Sequence, residues 1–431
     1  MKLDKRFLRK QLKNILAFTA SLFLKKYKPL IVGVTGSVGK TSTKEAVYSV
    51  VRTEKRARRN HGNFNTEFGF PLTIFGDYTE AGRGWFWFFV LLRSWTHLLL
   101  PEFIAKYFYG RYPEVLVLEY AADKPGDIGH LVKIAPPNIA VVTAIGEVPV
   151  HVEFYKNPDE VAREKSRILT SLNSANHAIL NADEERVRSL AEKTKAAVTT
   201  FGFSENADVK VSGFETKLES AGRGMPKRPV GISFKLENNG NFVPIRIGGT
   251  LGKSQAFAAA AAAAVGLRLG INLVQIADAF TYFQVPNQRV KLVAGVKESY
   301  VVDDSYNASP IATELAIETL SEIKAKRKIA VLGDMLELGE FSKGQHEKIG
   351  RLAASVFDVL ITVGSISSDI SHAAIEAGMP KGKVFHLETA DEAEALLVEM
   401  IKKGDLILIK GSKAVGLKKV AEAARLGKIV F

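Results

Sequence analysis

The sequence predicts an α/β protein with a parallel-sheet unit near the start and a second parallel-sheet unit after it. Two observations carry this expectation. The apolar run Leu30 to Val34 gives way to small and Gly residues and then to a helix-compatible segment, Thr43 to Val51. Beyond residue 300, short apolar runs alternate with helical patterns to near the C-terminal end, the rhythm of a sheet whose parallel strands are joined by helices.

Taken in order, residues 1–28 read as a basic amphipathic helix. Lys2, Lys5, Arg6, Arg9, Lys10 and Lys13 precede an apolar portion from Ile15 to Leu24, and Lys25, Lys26 and Lys28 follow it. The apolar portion is too short to span a bilayer, so the helix either lies on a membrane surface or packs on the body of the protein. Next comes Ile31-Val-Gly-Val-Thr-Gly-Ser-Val-Gly-Lys-Thr-Ser42, the strand–loop–helix grammar of a phosphate-binding loop. Its glycines let backbone N–H groups crowd a polyphosphate, and the helix start adds a positive dipole end. Thr35, Gly36, Ser37, Val38, Gly39, Lys40, Thr41 and Ser42 are therefore the expected nucleotide-binding run, with Lys40 on the β/γ-phosphates and the Thr41 hydroxyl on Mg²⁺. The general pattern G-x-x-x-x-G-K-[ST] wants Gly at position 34. This chain has Val34, with Gly33 one place early.

A polar, Gly-punctuated loop follows, Arg59 to Leu72, and then the aromatic run Trp85-Phe-Trp-Phe-Phe-Val-Leu-Leu92 within 84–110, which holds all three tryptophans. That insertion reads either as a helix pair in a headgroup region or as a hairpin covering a sheet or an oligomer contact. Val115 to Glu119 is a buried-type strand ending in a carboxylate, and ligands of open parallel sheets sit at the carboxyl ends of strands. Ile139 to Thr143 is a further strand, followed by His151 and Glu153; Pro158 to Leu172 reads as a helix carrying Glu164-Lys165-Ser166, and Ala178 to Leu180 as another strand. Residues 205–250 read as short β-strands, Ala256 to Ala264 as an Ala-rich helix, and Val285-Pro-Asn-Gln-Arg289 as a boundary. The expected units are thus 1–28, 29–286 and 287–431.

The chain has no cysteine, which excludes disulfides and thiolate metal sites and fits a reducing cytosol. Its formal charge of +13 suits a phosphorylated substrate or an acidic lipid surface. No nucleic-acid reader motif is present, so no nucleic-acid partner is expected.

Assembled, these residues resemble the Mur ligase family, the ATP-dependent amide-forming enzymes of peptidoglycan synthesis, and within it the D-alanyl-D-alanine-adding (MurF) type. Gly33-x-Thr35-Gly36-x-x-Gly39-Lys40-Thr41 is similar to that family's own phosphate loop, and Asn63-x-Asn65-x-Glu67-x-Gly69-x-Pro71 to its Asn-rich loop. Leu118-Glu119, His151-x-Glu153 and Glu164-Lys165 fall in family order. The most specific blocks are Asp303-Asp304-Ser305-Tyr306-Asn307-Ala308-x-Pro310, Val331 to Gly339, and Lys410-Gly411-Ser412. The resemblance implies a central ATPase domain followed by a Rossmann-like C-terminal α/β domain, with ATP and Mg²⁺ as cofactors. It implies catalytic roles for Lys40, His151 and Lys165. Thr41, Glu119, His151 and a carbamylated Lys165 would hold Mg²⁺. Gln255, Arg289, Asp304 and Asn307 would face the nucleotide, and Asn63, Asn65, Thr66 and Lys410 the substrate. An unmodified Lys165 paired with Glu164 or phosphate is the alternative.

Three departures accompany it. Little chain precedes the loop where the family carries a UDP-sugar domain, the aromatic insertion replaces a short connection, and Gly252-Lys253-Ser254-Gln255 stands where the family has His-Asn. The expected partners are a small-molecule or lipid-linked cell-wall precursor and an amino acid or dipeptide. The expected place is the cytoplasm, with peripheral contact to the inner membrane face through 1–28 and 84–110. Two other functions compete: a poly-γ-glutamate or folylpolyglutamate type of amide ligase, and a catalytically idle ATP-binding scaffold. The Asp303–Pro310 and Gly333–Gly339 blocks argue against the first. Retention of Lys40, Thr41, Glu119, His151 and Lys165 argues against the second.

Overall fold

The computed structural model describes residues 5–62, 64–82, 84–146, 154–220 and 227–426. The apolar run forms strand β1 (Leu30–Thr35), buried along almost its whole length as a central parallel strand must be. The next strands are β2 (Ala57–Arg59), β3 (Val115–Glu119), β4 (Ile139–Val142), β5 (His177–Asn181), β6 (Ala197–Gly202), β7 (Val209–Glu219), β8 (Arg228–Asn238) and β9 (Asn241–Gly248). They make one sheet in the order β2-β3-β1-β4-β5-β6-β7-β8-β9. It is parallel from β2 to β7 and antiparallel from β7 to β9. The stretch expected as short strands is a meander whose first two members run 11 residues each, bent by register shifts in the β7–β8 ladder.

The chain leaves β1 toward β2 and β3 on one side and later returns to β4 on the other. The loop after β1 therefore sits where strand order reverses, the crevice in which open α/β sheets bind ligands. The helices of this half are α1 (Lys5–Tyr27), α2 (Lys40–Val51), α3 (Gly69–Phe75), α4 (Trp85–Leu99), α5 (Glu102–Tyr109), α6 (Asp127–Ile134), α7 (Pro158–Thr170), α8 (Glu185–Arg188), α9 (Lys253–Arg268) and α10 (Leu273–Thr281). One sheet face is covered by α2, α9 and α10 through Val47, Val50, the alanines of α9, Ile276 and Phe280. Small side chains let α9 lie close: a Cβ on its Gly266 would stand 2.8 Å from Val50. The other face is covered by α1, α3, α6 and α7 through Leu16, Phe23, Phe70, Leu72, Ile128 and Ile168.

The second sheet holds β10 (Lys291–Ala294), β11 (Tyr300–Asp304), β12 (Arg327–Gly333), β13 (Val359–Val363), β14 (Val384–Leu387) and β15 (Asp405–Lys410), ordered β10-β11-β15-β12-β13-β14. All ladders are parallel except β10–β11. Helices α11 (Pro310–Ser321), α12 (Ser342–Ala354) and α13 (Ser368–Glu376) cover one face, and α14 (Ala390–Met400) and α15 (Lys418–Ala424) the other.

The N-terminal segment does pack on the body: Leu16, Ala20 and Phe23 are wholly buried, yet Phe7, Leu8, Ile15 and Phe18 on its other side are exposed. The aromatic insertion is the helical hairpin α4–α5. Lys26 ties it to α1 by donating to the carbonyls of Leu98 (2.8 Å) and Leu100 (3.1 Å), a cation satisfying the last carbonyls of a helix. Among the described residues no helix is long and apolar enough to cross a membrane.

Candidate active site

The phosphate loop begins at Gly36 and not at position 34. Val34 is still strand, paired with Glu119, and Gly33 is needed for packing: a Cβ there would stand 2.7 Å from the Tyr120 ring and 2.9 Å from Ile168. The turn proper uses Gly36 (φ 147°) and Gly39 (φ 84°), conformations that side-chain-bearing residues resist. A Cβ on Gly36 would lie 2.0 Å from the Thr143 hydroxyl. The loop is braced on the end of β4: Ser37 N–H donates to Ala144 O (2.5 Å) and the Thr143 hydroxyl to Val38 O (2.6 Å). Helix α2 starts at Lys40, three residues earlier than the apolar pattern indicates, and its first internal bond runs from Thr43 N–H to Gly39 O. The N–H groups of Lys40, Thr41 and Ser42 thus have no helical acceptor, the usual state of a helix start. Lys40 curls back over the loop, donating to Gly36 O (2.9 Å) and Ser37 O (3.2 Å). Burial lowers its pKa, against the opposing pull of Glu119.

Glu119, at the carboxyl end of β3 and almost fully buried, is the hub. Its Oε2 accepts from the Thr41 hydroxyl at 3.0 Å and its Oε1 from Asn65 Nδ2 at 3.2 Å. Two residues that the sequence reading passed over support it. Buried Lys44 lies 3.9 Å from Oε2 and donates to Asn60 O (2.7 Å), while Asn60 Oδ1 accepts from the Glu119 N–H (2.9 Å). Lys44 lies one helical turn beyond Lys40 on the buried side of α2, and that spacing was the available signal. It supplies the positive charge a buried carboxylate requires.

Helix α7 opens on Asn157, which accepts from Glu160 N–H, with Pro158 at its first position and two acids in its first turn, a well-formed helix start. It presents Glu164 and Lys165 inward. Glu164 accepts from Ile128 N–H (3.0 Å) and pairs with Arg167 (2.8 Å); among the described residues it makes no direct ion pair with Lys165, though its charge favours the Lys165 ammonium. The Lys165 side chain is buried and makes no hydrogen bond among the described residues. Burial, then the charge of Lys40, pushes its pKa down to about 7.

From the second sheet, Asp304 ends β11 and Lys410 ends β15. Their buried ion pair closes at 2.5 Å, and Lys410 also donates to Asn307 O (3.1 Å). The connection between the sheets carries Arg289, whose guanidinium lies 4.0 Å above the Tyr306 ring and donates to the Thr41 hydroxyl (3.3 Å). Its neighbours Gln288 (φ 60°) and Val290 (φ 52°) are left-handed, costly for a β-branched residue. The strain is held by Val290 N–H to Asp304 (3.2 Å) and Thr250 to Val290 O (2.9 Å). Gln255 Nε2 donates to both Ser42 Oγ and Arg289 O (3.2 Å each), and its buried Oε1 has no partner among the described residues.

These groups surround one cleft of about 770 Å³ between the two sheets. Ser37, Val38, Gly39, Lys40, Thr41, Ser42, Asn65, Glu119, Lys165, Gln255, Arg289, Asp304, Asn307 and Lys410 all line it. Tyr306 and Ser412, from the most specific sequence blocks, line it too, as do Asp123 and Tyr155, which the sequence did not single out. Thr35, Gly36 and Thr66 do not: the Thr35 hydroxyl is spent inside on Tyr120 O (2.9 Å), and Thr66 is exposed on the loop. His151 and Asn63 lie outside the described residues. Among the described residues, no group of three or more His, Asp or Glu is placed to hold a metal.

Comparison with known proteins bears on the same elements. Residues 95–266 match the Mur ligase middle domain, and residues 288–413 the domain described as Mur ligase, glutamate ligase domain. The UDP-N-acetylmuramoyl-tripeptide–D-alanyl-D-alanine ligase of Mycobacterium tuberculosis is 30% identical over 414 residues, 91% of this chain and 72% of the relative. This chain belongs to the Mur ligase family. The enzyme of the same name from Bacillus subtilis is 28% identical over 94% of this chain and 77% of its own. The crystal structure of MurF ligase from Thermotoga maritima in complex with ADP superimposes with a TM-score of 0.75 at 27% identity, covering 95% of this chain and 83% of that one. This Mur ligase is accordingly an ATP-dependent, ADP-forming amide ligase of peptidoglycan precursor synthesis, of the MurF type.

Proposed function

We propose that this Mur ligase joins the terminal carboxylate of a muramoyl-linked tripeptide to the amine of D-alanyl-D-alanine through an acyl phosphate. The observation that carries this reading is the single cleft in which Lys40, Thr41 and Glu119 from one sheet face Asp304, Asn307 and Lys410 from the other. The relatives named above are ligases of that precursor and that dipeptide.

In this reading residues 29–286 form the phosphate-handling domain and 287–431 a second domain that closes on it. A carboxylate oxygen of the tripeptide attacks the γ-phosphorus of ATP, and the bond to the β,γ-bridging oxygen breaks, releasing ADP. Lys40 gives up its loop carbonyls for the β/γ-oxygens and neutralises charge as it spreads over the transferring group. The dipeptide amine then attacks the acyl carbon, and the carbon–oxygen bond to phosphate breaks. Asn63, Asn65, Thr66 and Lys410 are the proposed substrate contacts. Arg289, Asp304, Asn307 and Gln255 are the proposed nucleotide contacts. Closure of the cleft excludes water, which would otherwise hydrolyse the acyl phosphate.

The residues present fit Mg²⁺. Mg²⁺ takes hard oxygen donors, and the Thr41 hydroxyl and the Glu119 carboxylate are oxygen donors that meet on the cleft wall. Thr41 and Glu119 would hold one ion, and His151 with Lys165, carbamylated, a second. When bound, the metal screens phosphate charge. Carbamylation needs a neutral amine, and burial supplies one: with a pKa of about 7, about half of Lys165 is unprotonated at pH 7. The carrier of the precursor, UDP or lipid, and a peripheral seat on the inner membrane face through 1–28 and 84–110 complete the reading.

The experiment is phosphate release from ATP and Mg²⁺ with D-alanyl-D-alanine and either the UDP-linked or the lipid-linked muramoyl tripeptide, with mass spectrometry of products. Release that needs both partners, with the matching amide, is expected. Release independent of the dipeptide would overturn the proposal.

A further inference from the structure

A second cavity, of about 420 Å³, lies away from the cleft, between the end of α1, the α4–α5 turn and the β2–β3 edge. Lys28, Arg56, Lys106 and Arg111 line it against Glu102 and Glu114. Glu114 is already engaged by Arg56 at 3.3 Å, so the cavity keeps a surplus of positive charge. Its inner wall is aromatic: Tyr27 stacks on Tyr112 with centroids 4.3 Å apart, and His97 packs beside them. Tyr27 buries its hydroxyl without a hydrogen-bond partner among the described residues. The neighbouring cations Lys26, Arg93 and Arg58 add to burial in holding His97 in its neutral form, with a pKa of about 4.

The same hairpin exposes an apolar surface beside this cavity. On α5, Glu102 and Lys106 face the cavity, while Phe103 and Tyr107, each one residue on, are about 100° further around the helix and are 75% and 84% exposed. Phe108 and Leu99 are similarly bare, and the exposed rings of Trp85, Phe88 and Phe89 pack on one another on α4. Two exposed aromatic clusters on one helical hairpin are uncommon on a protein that meets only water. Aromatic side chains next to lysine and arginine suit the headgroup layer of a bilayer.

We propose that this cavity takes the phosphate of an anionic membrane lipid while the aromatic residues of α4 and α5 sit in the headgroup layer, fixing how the ligase stands on the membrane. Charge complementarity commits the surface to that occupant: a rim with more Lys and Arg than Glu meets lipid phosphates, whereas a second copy would bring a like-charged rim. The inference rests on the peripheral seat proposed above and not on the ligation chemistry.

The test is co-sedimentation of the full chain with vesicles of phosphatidylcholine alone or mixed with phosphatidylglycerol. Binding to the mixed vesicles only is expected. Lys106→Gln/Arg111→Gln is expected to weaken it about thirtyfold, from two lost charges near an anionic surface. Phe103→Ser/Tyr107→Ser/Phe108→Ser, at exposed positions that leave the core intact, abolishes it. Equal binding to both vesicle types, or binding indifferent to the charge variant, would overturn the proposal. So would glycerol phosphate raising the melting temperature of a chain that ignores vesicles, which would mark a site for a free phosphate. A dimer in solution that the aromatic variant splits, without vesicle binding, would assign the surface to a second copy and overturn it too. Ligation of a soluble precursor by both variants is expected to match the wild type. Its absence in every form would count against the reaction and leave the vesicle result standing.

Discussion

Replacing Lys165 with Met separates stability from function at one buried position. Folded Lys165 releases its proton near pH 7, against 10.5 for an ordinary lysine, because burial and the nearby Lys40 charge disfavour the ammonium. Between those values the unfolded chain binds more protons than the folded one, so stability owed to this group rises with pH across that window. The penalty for holding the lysine is then about 4 kcal/mol at pH 7 and about 2 kcal/mol at pH 9. A Met of similar length carries no such penalty. Lys165→Met is expected to be more stable than the wild type at pH 7 in carbon-dioxide-free buffer, with a margin that shrinks toward pH 9. Urea unfolding of both proteins at pH 7, 8 and 9 measures this. The same variant is expected to lose ligation, and the wild type to gain activity between pH 6 and 8, more so with added bicarbonate. A Met variant that is less stable at pH 7, or a margin that does not fall with pH, would refute the burial argument. Full activity in the variant would refute the role.

Lys40→Ala should leave the circular dichroism spectrum unchanged and abolish ATP-dependent phosphate release, because no other described cation reaches the loop carbonyls Gly36 and Ser37. Lys410→Met leaves the Asp304 carboxylate buried without its partner and should cost about 3–5 kcal/mol in urea unfolding. Adding Asp304→Asn should recover part of that loss, a coupling a double-mutant cycle reads directly. Gly36→Ala forces a Cβ against the Thr143 hydroxyl at φ 147°. Equilibrium dialysis should show weakened ATP binding, while the distant second sheet keeps its amide-exchange protection.

Much of the catalytic edge was legible because its chemistry is local. Gly39, Lys40 and Thr41 follow an apolar strand, and Glu119 ends one, so the sequence already implies a loop and a carboxylate at neighbouring strand ends. The Val34 departure was legible as a departure and not in its cause, which is tertiary: Gly33 makes room for Tyr120 and Ile168. Support from Lys44 was marked in the sequence only by its one-turn spacing from Lys40, and nothing local marks Asn60. The meeting of the two sheets was legible least. It depends on Gln288 and Val290 taking left-handed backbone that neither residue type advertises, and on Arg289 crossing from Tyr306 to Thr41. Strands β2 and β10 escaped notice because they are short and sit at sheet edges, where hydrophobic patterning is weak.

The most direct test of the central claim follows one oxygen atom. A muramoyl tripeptide carrying heavy oxygen in its terminal carboxylate is incubated with the enzyme, ATP, Mg²⁺ and D-alanyl-D-alanine, and the released phosphate is weighed by mass spectrometry. An acyl phosphate requires one labelled oxygen to leave with each phosphate formed. Unlabelled phosphate alongside the amide product would contradict the account.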